Sequence, residues 1–402
     1  MVTMPKLHEM VDEILPGIIA DRRHLHENPE LGFQEVKTSG FVADRLRALG
    51  VEDIQTGING TGVTGLIRGT GTGQGADRVV LIRADMDALP ILEENEVDYK
   101  SKNDGTMHAC GHDAHTAILM GLARVLNDRR DQFAGTVKLL FQPAEEMFPG
   151  GAKGMIEEGV LEDPPVDAVF GLHMAQDQPV GTIIVGPGPV MAAADSFTVK
   201  VQGQGGHGAY PSYCVDPIVA GAQIIMALQT LVSREVDPTQ SAVVSTCVFK
   251  SGEAFNVIPD VAELGGTVRT FSPDVRDLLE RRISELAQGV GKALRVDVDV
   301  AYRRGYPATV NDPAAVEIVR QAARQVVGDD RLIDADPKMG AEDFSYFLNE
   351  RPGAFFFVGS KNEDRGLVWG HHHPRFDIDE ESLGVGLETM ATTVVTYLEQ
   401  GL

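Results

Sequence analysis

The chain has 402 residues, 43% hydrophobic and 23% charged, which is the balance of an ordinary globular protein too long for one core. Its 59 acidic and 35 basic residues give a formal net charge of −24, which argues against nucleic acid or an anionic membrane surface as a partner. Three cysteines, Cys110, Cys214 and Cys247, are an odd number spaced far apart. They make no disulfide framework and point to a reducing, cytoplasmic setting.

Residues 7–23 alternate apolar and charged side chains at helical spacing, and Pro29 and Gly32 end that helix. His24 and His26, just before the break, read as surface groups or as supports for more reactive ones. The stretch is charged throughout, unlike a signal peptide, and no run of about 18 apolar residues suggests a membrane span. A second helix, from about Thr38 to Leu49, stops at Gly50. Gly69 to Gly75 is a glycine-rich turn with no helix start behind it, so it cradles no phosphate. Arg78 to Arg83 is a nearly unbroken apolar run, as in a strand buried on both faces. It delivers Asp85 and Asp87 just past its end.

Met107 to His115 then gathers His108, Cys110, His112, Asp113 and His115. Ala114, Ala117, Ile118, Gly121, Leu122 and Val125 follow at helical spacing, so the cluster opens a helix with Asp113 near its N-terminus, where a carboxylate suits the dipole. The same dipole, or a bound cation, would favour a thiolate at Cys110. A strand at 136–141 runs into Glu145 and Glu146, and one at 167–172 runs into His173, with helices at 113–127 and 152–159 between. This alternation predicts an α/β fold with a mostly parallel sheet, whose ligands bind beyond the carboxyl ends of the strands. Asp85, Asp87, Cys110, His112, Glu145, Glu146 and His173 are thereby aimed at one edge.

The pattern changes after Gly186-Pro187-Gly188-Pro189. Alternating strands at 196–202, 241–250 and 261–271, helices at 216–233 and 273–293, and a strand at 295–301 give the order β-α-β-β-α-β, a ferredoxin-like α+β unit. A helix at 313–327, a strand at 354–358 and a helix at 380–399 then return to the first pattern. The expected organisation is a discontinuous first domain, 1–190 and 305–402, with an inserted domain at 191–304.

Cys110, His112, Glu146, His173 and one of His371, His372 and His373 form a mixed sulfur, nitrogen and oxygen donor set. Such a set suits Zn²⁺, Mn²⁺, Co²⁺ or Ni²⁺ better than Mg²⁺ or Ca²⁺. Five ligands exceed one tetrahedral site, so two divalent metal ions are expected, polarising a carbonyl and activating water. Gly203 to Gly208 matches a dinucleotide fingerprint in letters only, because Pro211 arrives before a helix can start. The glycines instead place His207 on a tight loop as a possible donor to an oxyanion. Asn256 and Arg269 are candidates for holding a substrate carboxylate, with a structural salt bridge as the rival for Arg269.

The stretches RRHLHENPELGFQE, LIRADMDALPI, MHACGHDAHTA, LLFQPAEE, GLHM, GGHGAYP, FNVIPD, GTVRTF, MGAEDFSYF and HHHPRFDIDE run nearly end to end. Together they resemble the M20 metallopeptidase family, in its amidohydrolase branch of hippurate hydrolases, N-acyl-amino-acid amidohydrolases and auxin-conjugate hydrolases. The resemblance implies a catalytic α/β domain with an inserted dimerisation or lid domain, working as a homodimer or homotetramer. It implies Cys110, His112, Glu146, His173 and His372 as ligands of two cations, and Glu145 as general base. Asp85 and Asp87 would orient ligands. His207 would reach an active site, often the partner subunit's, and Asn256, Arg269, His115 and Glu342 would line the substrate pocket. The implied reaction is hydrolysis of an N-acyl amino acid to a carboxylate and a free amino acid. A dipeptidase or carboxypeptidase of the same family is the alternative, ahead of a cysteine hydrolase and a non-catalytic binder.

Overall fold

A computed structural model describes residues 4–402. The chain divides into two compact units, one of Met1–Val190, Val310–Asp336 and Asp343–Leu402, the other of Met191–Thr309 and Pro337–Glu342. The second unit thus extends past the expected return at 305 and takes in Pro337–Glu342, a segment expected in the first domain.

In chain order, α1 (Met4–Glu27) and α2 (Val36–Leu49) precede β1 (Glu52–Ile58), β2 (Gly62–Arg68) and β3 (Val79–Asp85). Then come α3 (His112–Asn127), β4 (Thr136–Gln142), α4 (Gly151–Glu157), β5 (Ala168–Pro179), β6 (Ile183–Val185) and β7 (Gly188–Met191). The next elements are β8 (Ala193–Gln202), β9 (Gly206–His207), α5 (Pro217–Thr230), β10 (Ala242–Lys250), β11 (Val257–Ile258), β12 (Val261–Thr270), α6 (Pro273–Leu294) and β13 (Asp297–Arg304). β14 (Thr309–Asn311), α7 (Pro313–Val327), β15 (Leu332–Asp334), α8 (Ser345–Glu350), β16 (Gly353–Lys361) and α9 (Glu381–Gln400) complete the chain.

The first unit is built on an eight-stranded sheet in the order β1-β2-β4-β3-β5-β16-β6-β15. Its centre, β4-β3-β5-β16, is parallel, as the strand–helix alternation requires. β1 and β2 add an antiparallel hairpin at one side. β6 runs antiparallel to β16, and β15 parallel to β6. β6 and β15 have three residues each, too few to show a period, and were not expected from the sequence. The central strands are buried on both faces, with Val80, Ile82, Phe170 and Phe356 on one and Leu81, Val169 and Phe355 on the other all near zero exposure. Helices α1, α3 and α9 pack into the same core. In α1, Leu7, Val11, Ile14, Ile18 and Leu25 lie on one buried face. Each such side chain contributes about 1.5–3 kcal/mol when fully buried.

The second unit is an antiparallel sheet in the order β10-β12-β8-β13 with α5 and α6 packed on it. Counted by their own sequence order, the strands lie 2-3-1-4, the ferredoxin-like arrangement. The stretch Pro217–Glu235 has a mean hydropathy of 1.2, enough by length and composition for a membrane span. Here it covers this sheet through Ala220, Ile224 and Leu228, while Met226 stays 71% exposed. β10 is an open edge, with Val248 and Phe249 exposed on it.

Candidate metal centre

β3 ends on Asp85, and Asp87 follows it; both carboxylates are buried. One carboxylate, Asp87, organises three neighbours. Its Oδ1 accepts from the Glu145 backbone N–H at 3.0 Å, and its Oδ2 from the Glu146 N–H at 3.0 Å. His112 Nδ1 lies 2.9 Å from Asp87 O and 3.2 Å from Asp87 Oδ1. Both partners are acceptors, so Nδ1 carries a proton, and Nε2 is the nitrogen that can turn to a cation once it gives up its own proton. That Nε2 is buried without a hydrogen-bond partner.

α3 starts at His112 behind Gly111, whose φ of 92° is left-handed. A Cβ there would also meet Met174 Cγ at 3.2 Å. Gly111→Ala is therefore expected to destabilise the fold by about 1–2 kcal/mol through backbone strain. It should also weaken cation uptake by turning Cys110 and His112. Denaturant unfolding and cation titration of the variant check both.

The expected strand at 167–172 does not stop there: β5 runs to Pro179, and His173 sits inside it. Pairing with β3 ends at Gly171, while pairing with β16 continues through Phe357↔His173 and beyond. His173 thus lies two positions past the last β5 residue that β3 pairs, where the strand is open toward the site. Its Nδ1 bonds Met174 O at 2.7 Å and its Nε2 lies 3.5 Å from Cys110 Sγ. β4 ends at Gln142, and the chain then passes through Ala144, which has a φ of 52°, to the glutamate pair. Two residues at this site, Ala144 and His372 (φ 64°), are left-handed without being glycine. Strain of this kind costs about 1–3 kcal/mol each and collects where a site dictates the backbone.

The donors converge. Ligand atoms of Cys110, His112 and His173 lie within 4.8 Å of one another, as do those of Cys110, Glu146 and His372, and those of His112, Glu145 and Glu146. Cys110 is common to the first two sets. His372 Nε2 approaches Glu146 Oε1 to 3.0 Å, and the His372 backbone N–H bonds Ala109 O at 2.8 Å. The flanking histidines turn elsewhere: His371 packs against His173 at 5.2 Å between ring centroids, and His373 stacks on Trp369 at 4.2 Å. Burial disfavours the His112 imidazolium, yet Asp85 and Asp87 outweigh it and hold the pKa up at about 10. Burial and Glu146 and Glu145 beside it push the Cys110 thiol up. A buried cluster this rich in carboxylates and soft donors suits divalent cations.

Expected at the substrate, His115 is instead enclosed. Its Nδ1 bonds Asp85 Oδ1 at 2.6 Å, and its Nε2 accepts the Met174 N–H at 2.9 Å. With both nitrogens used and almost no exposure, it braces Asp85 and β5 and has no atom left for substrate. Arg83, unforeseen from sequence, bonds Asp85 at 2.7 Å and Asp343 at 2.9 Å from a fully buried position. The mainly apolar run that revealed β3 concealed it.

His207, Asn256, Arg269 and Glu342 belong to the second unit. His207 and Asn256 are exposed and adjacent: β9 pairs His207 with Val257, and the Gly208 N–H bonds Asn256 O at 2.8 Å. Arg269 is half-buried, bonds Val268 O at 3.2 Å and pairs with no carboxylate among the described residues. Nearby Asp195 is taken by Arg276, at 2.8 and 2.5 Å. The salt-bridge rival for Arg269 therefore falls away. Glu342 is buried at the end of the Pro337–Glu342 segment.

Residues 81–396 match the peptidase family M20/M25/M40. The chain belongs to this family. Among M20 relatives, an N-acetyl-L-cysteine deacetylase of Bacillus subtilis is 42% identical over 366 residues, covering 91% of this chain and 84% of the relative. A thermostable carboxypeptidase 2 of Saccharolobus solfataricus is 40% identical over 405 residues, covering 99% of each. The crystal structure of the Bacillus subtilis protein YXEP, described as a dinuclear metal-binding M20 peptidase, superposes with a TM-score of 0.84 at 38% identity. It covers 97% of this chain and 99% of its own. The chain is therefore an M20 hydrolase with a metal-binding catalytic unit.

Proposed function

We propose that the protein hydrolyses the amide bond of N-acyl amino acids, releasing a carboxylate and a free amino acid. The observation that carries this reading is Glu145 set beside two donor triads that share Cys110. The triads would hold two cations, of Mn²⁺, Zn²⁺, Co²⁺ or Ni²⁺ type: Cys110, His112 and His173 one, and Cys110, Glu146 and His372 the other. Bound there, such a pair supplies Lewis acidity at the scissile carbonyl and makes water more acidic. Glu145, almost fully buried and fixed through Asp87, takes the proton from water and returns it to the leaving nitrogen. His207 donates to the developing oxyanion, and Arg269 with Asn256 grips the substrate's carboxylate.

Self-association as a homodimer or homotetramer belongs to the same reading. It is supported by the open β10 edge and the apolar side chains Phe249, Val219 and Met226 exposed on the second unit. A cytoplasmic setting suits three free thiols.

The test is an assay of cation-reloaded enzyme on N-acetyl, N-benzoyl and N-fatty-acyl amino acids, their C-terminal amides, and unblocked dipeptides. Turnover of the acyl amino acids with at least about a tenfold loss on the amides supports it, because a bidentate carboxylate contact is lost. Preference for unblocked dipeptides would instead favour the carboxypeptidase or dipeptidase alternative, which the carboxypeptidase relative keeps open.

A further inference from the structure

A second constellation of charge lies behind the donors, in the first unit, and the proposed chemistry leaves it unused. Arg22 on α1 has no exposed surface. Its Nε lies 2.8 Å from Asp113 Oδ2, its Nη2 donates to Asp377 Oδ1 at 2.8 Å, and its Nη1 reaches Glu380 Oε1 at 3.4 Å. Asp113 follows His112, and Asp377 follows His372 by five residues. His26, one turn further along α1, bonds Asp113 Oδ2 at 2.8 Å and approaches Glu93 at 3.3 Å. The Tyr99 hydroxyl donates to Asp377 Oδ2 at 2.7 Å.

The two segments tied by this guanidinium are unequal. Asp113 belongs to α3, a buried helix that needs no further fixing. His372 and Asp377 lie in a stretch between β16 and α9 without helix or strand, and His372 is itself half-exposed. Its position follows from the His372 N–H to Ala109 O, the Glu94 N–H to Pro374 O, Asn95 Nδ2 to Phe376 O and Gln176 Nε2 to Asp377 O, with Phe376 and Ile378 buried in the core on either side of Asp377. Arg22 is the tether that joins this stretch directly to the helix carrying His112. A planar five-donor fork fixes the distance between two carboxylates in a way a single ammonium cannot.

We propose that Arg22, acting through Asp113 and Asp377, is a positioning residue for His372. It sets the spacing of the Cys110–Glu146–His372 triad and leaves the Cys110–His112–His173 triad to α3 and β5. The proposal rests on the ligand sets assigned above.

The test is calorimetric titration with Mn²⁺ of chelator-stripped wild type and of Arg22→Lys, Asp377→Asn and Tyr99→Phe. Wild type is expected to take up two cations per chain. In Asp377→Asn and Arg22→Lys one of the two should bind about 10- to 100-fold more weakly and the other as before, the usual size of an effect one step from a ligand. Tyr99→Phe, which removes a single hydroxyl from the periphery, should show the same selectivity in smaller measure, and it carries the test if Arg22→Lys does not fold. A purely structural role would weaken both cations alike or neither, and either result overturns the proposal. Two normal uptakes in wild type and in Asp377→Asn would overturn the clamp alone. No paired uptake in wild type would overturn the ligand sets along with it.

Discussion

Glu145→Gln is expected to lower kcat by about 10²–10⁴-fold, with KM little changed and two cations still bound. Glutamine has the same shape, so the backbone bond to Asp87 and the left-handed turn at Ala144 survive the exchange. What disappears is a carboxylate able to accept a proton and give it back. Glu146, the next residue, points to the donor triad with His372 and does not substitute for it. Steady-state kinetics together with metal analysis of the purified variant decide the matter. Full turnover with full cation content would remove Glu145 from the mechanism.

Stripping the cations is expected to reduce turnover by about 10³-fold or more, since Lewis-acid stabilisation of this kind amounts to several kcal/mol. Reloading should restore it. Cys110→Ala should lose both cations together and resist reloading, because its sulfur is common to both triads. His173→Ala should chiefly lose one. Cys110→Ala alone does not separate this reading from a cysteine hydrolase, since a nucleophile would be lost too. Stripped wild-type enzyme does separate them: activity there, abolished by thiol alkylation, would favour the nucleophile. Against that rival, burial and the neighbouring glutamates disfavour the thiolate, and His173, partly buried and itself resistant to protonation, is a weak base for it.

Much of this site could be read from the chain. Buried parallel strands are nearly unbroken apolar runs, so the residues that interrupt the pattern, Asp85 and the pair Glu145 and Glu146, mark the strand ends. The second unit was equally legible because its strands alternate. The apolar run ends at Leu172 and puts His173 past the strand, yet β5 continues through Met174 and Ala175 after its β3 neighbour has stopped. The family resemblance puts His115 at the substrate, and nothing in the sequence shows that Asp85 and the Met174 N–H use both its nitrogens. His24 and His26 shared one expectation and have different fates. His24 stacks on Phe41 at 4.4 Å, whereas His26 is buried against Asp113 and Glu93. The i, i+4 spacing of Arg22 and His26, on the face that carries Ile18 and Leu25, was the available signal. Three-residue strands such as β6 carry none.

β16 sits in the interior of its sheet, hydrogen-bonded to β5 on one side and to β6 on the other. During synthesis, Gly353–Lys361 and His372 leave the ribosome only after the whole of Met191–Thr309. Until then the nascent first unit has a split sheet and an incomplete set of donors. The second unit, continuous from Met191 to Thr309 apart from one short segment, has emerged well before. Folding in the cell should therefore run in the reverse of the usual N-terminus-first order, with the inserted unit closing before the one that surrounds it. Premature termination near residue 350 would then leave a folded insert on an unfolded host.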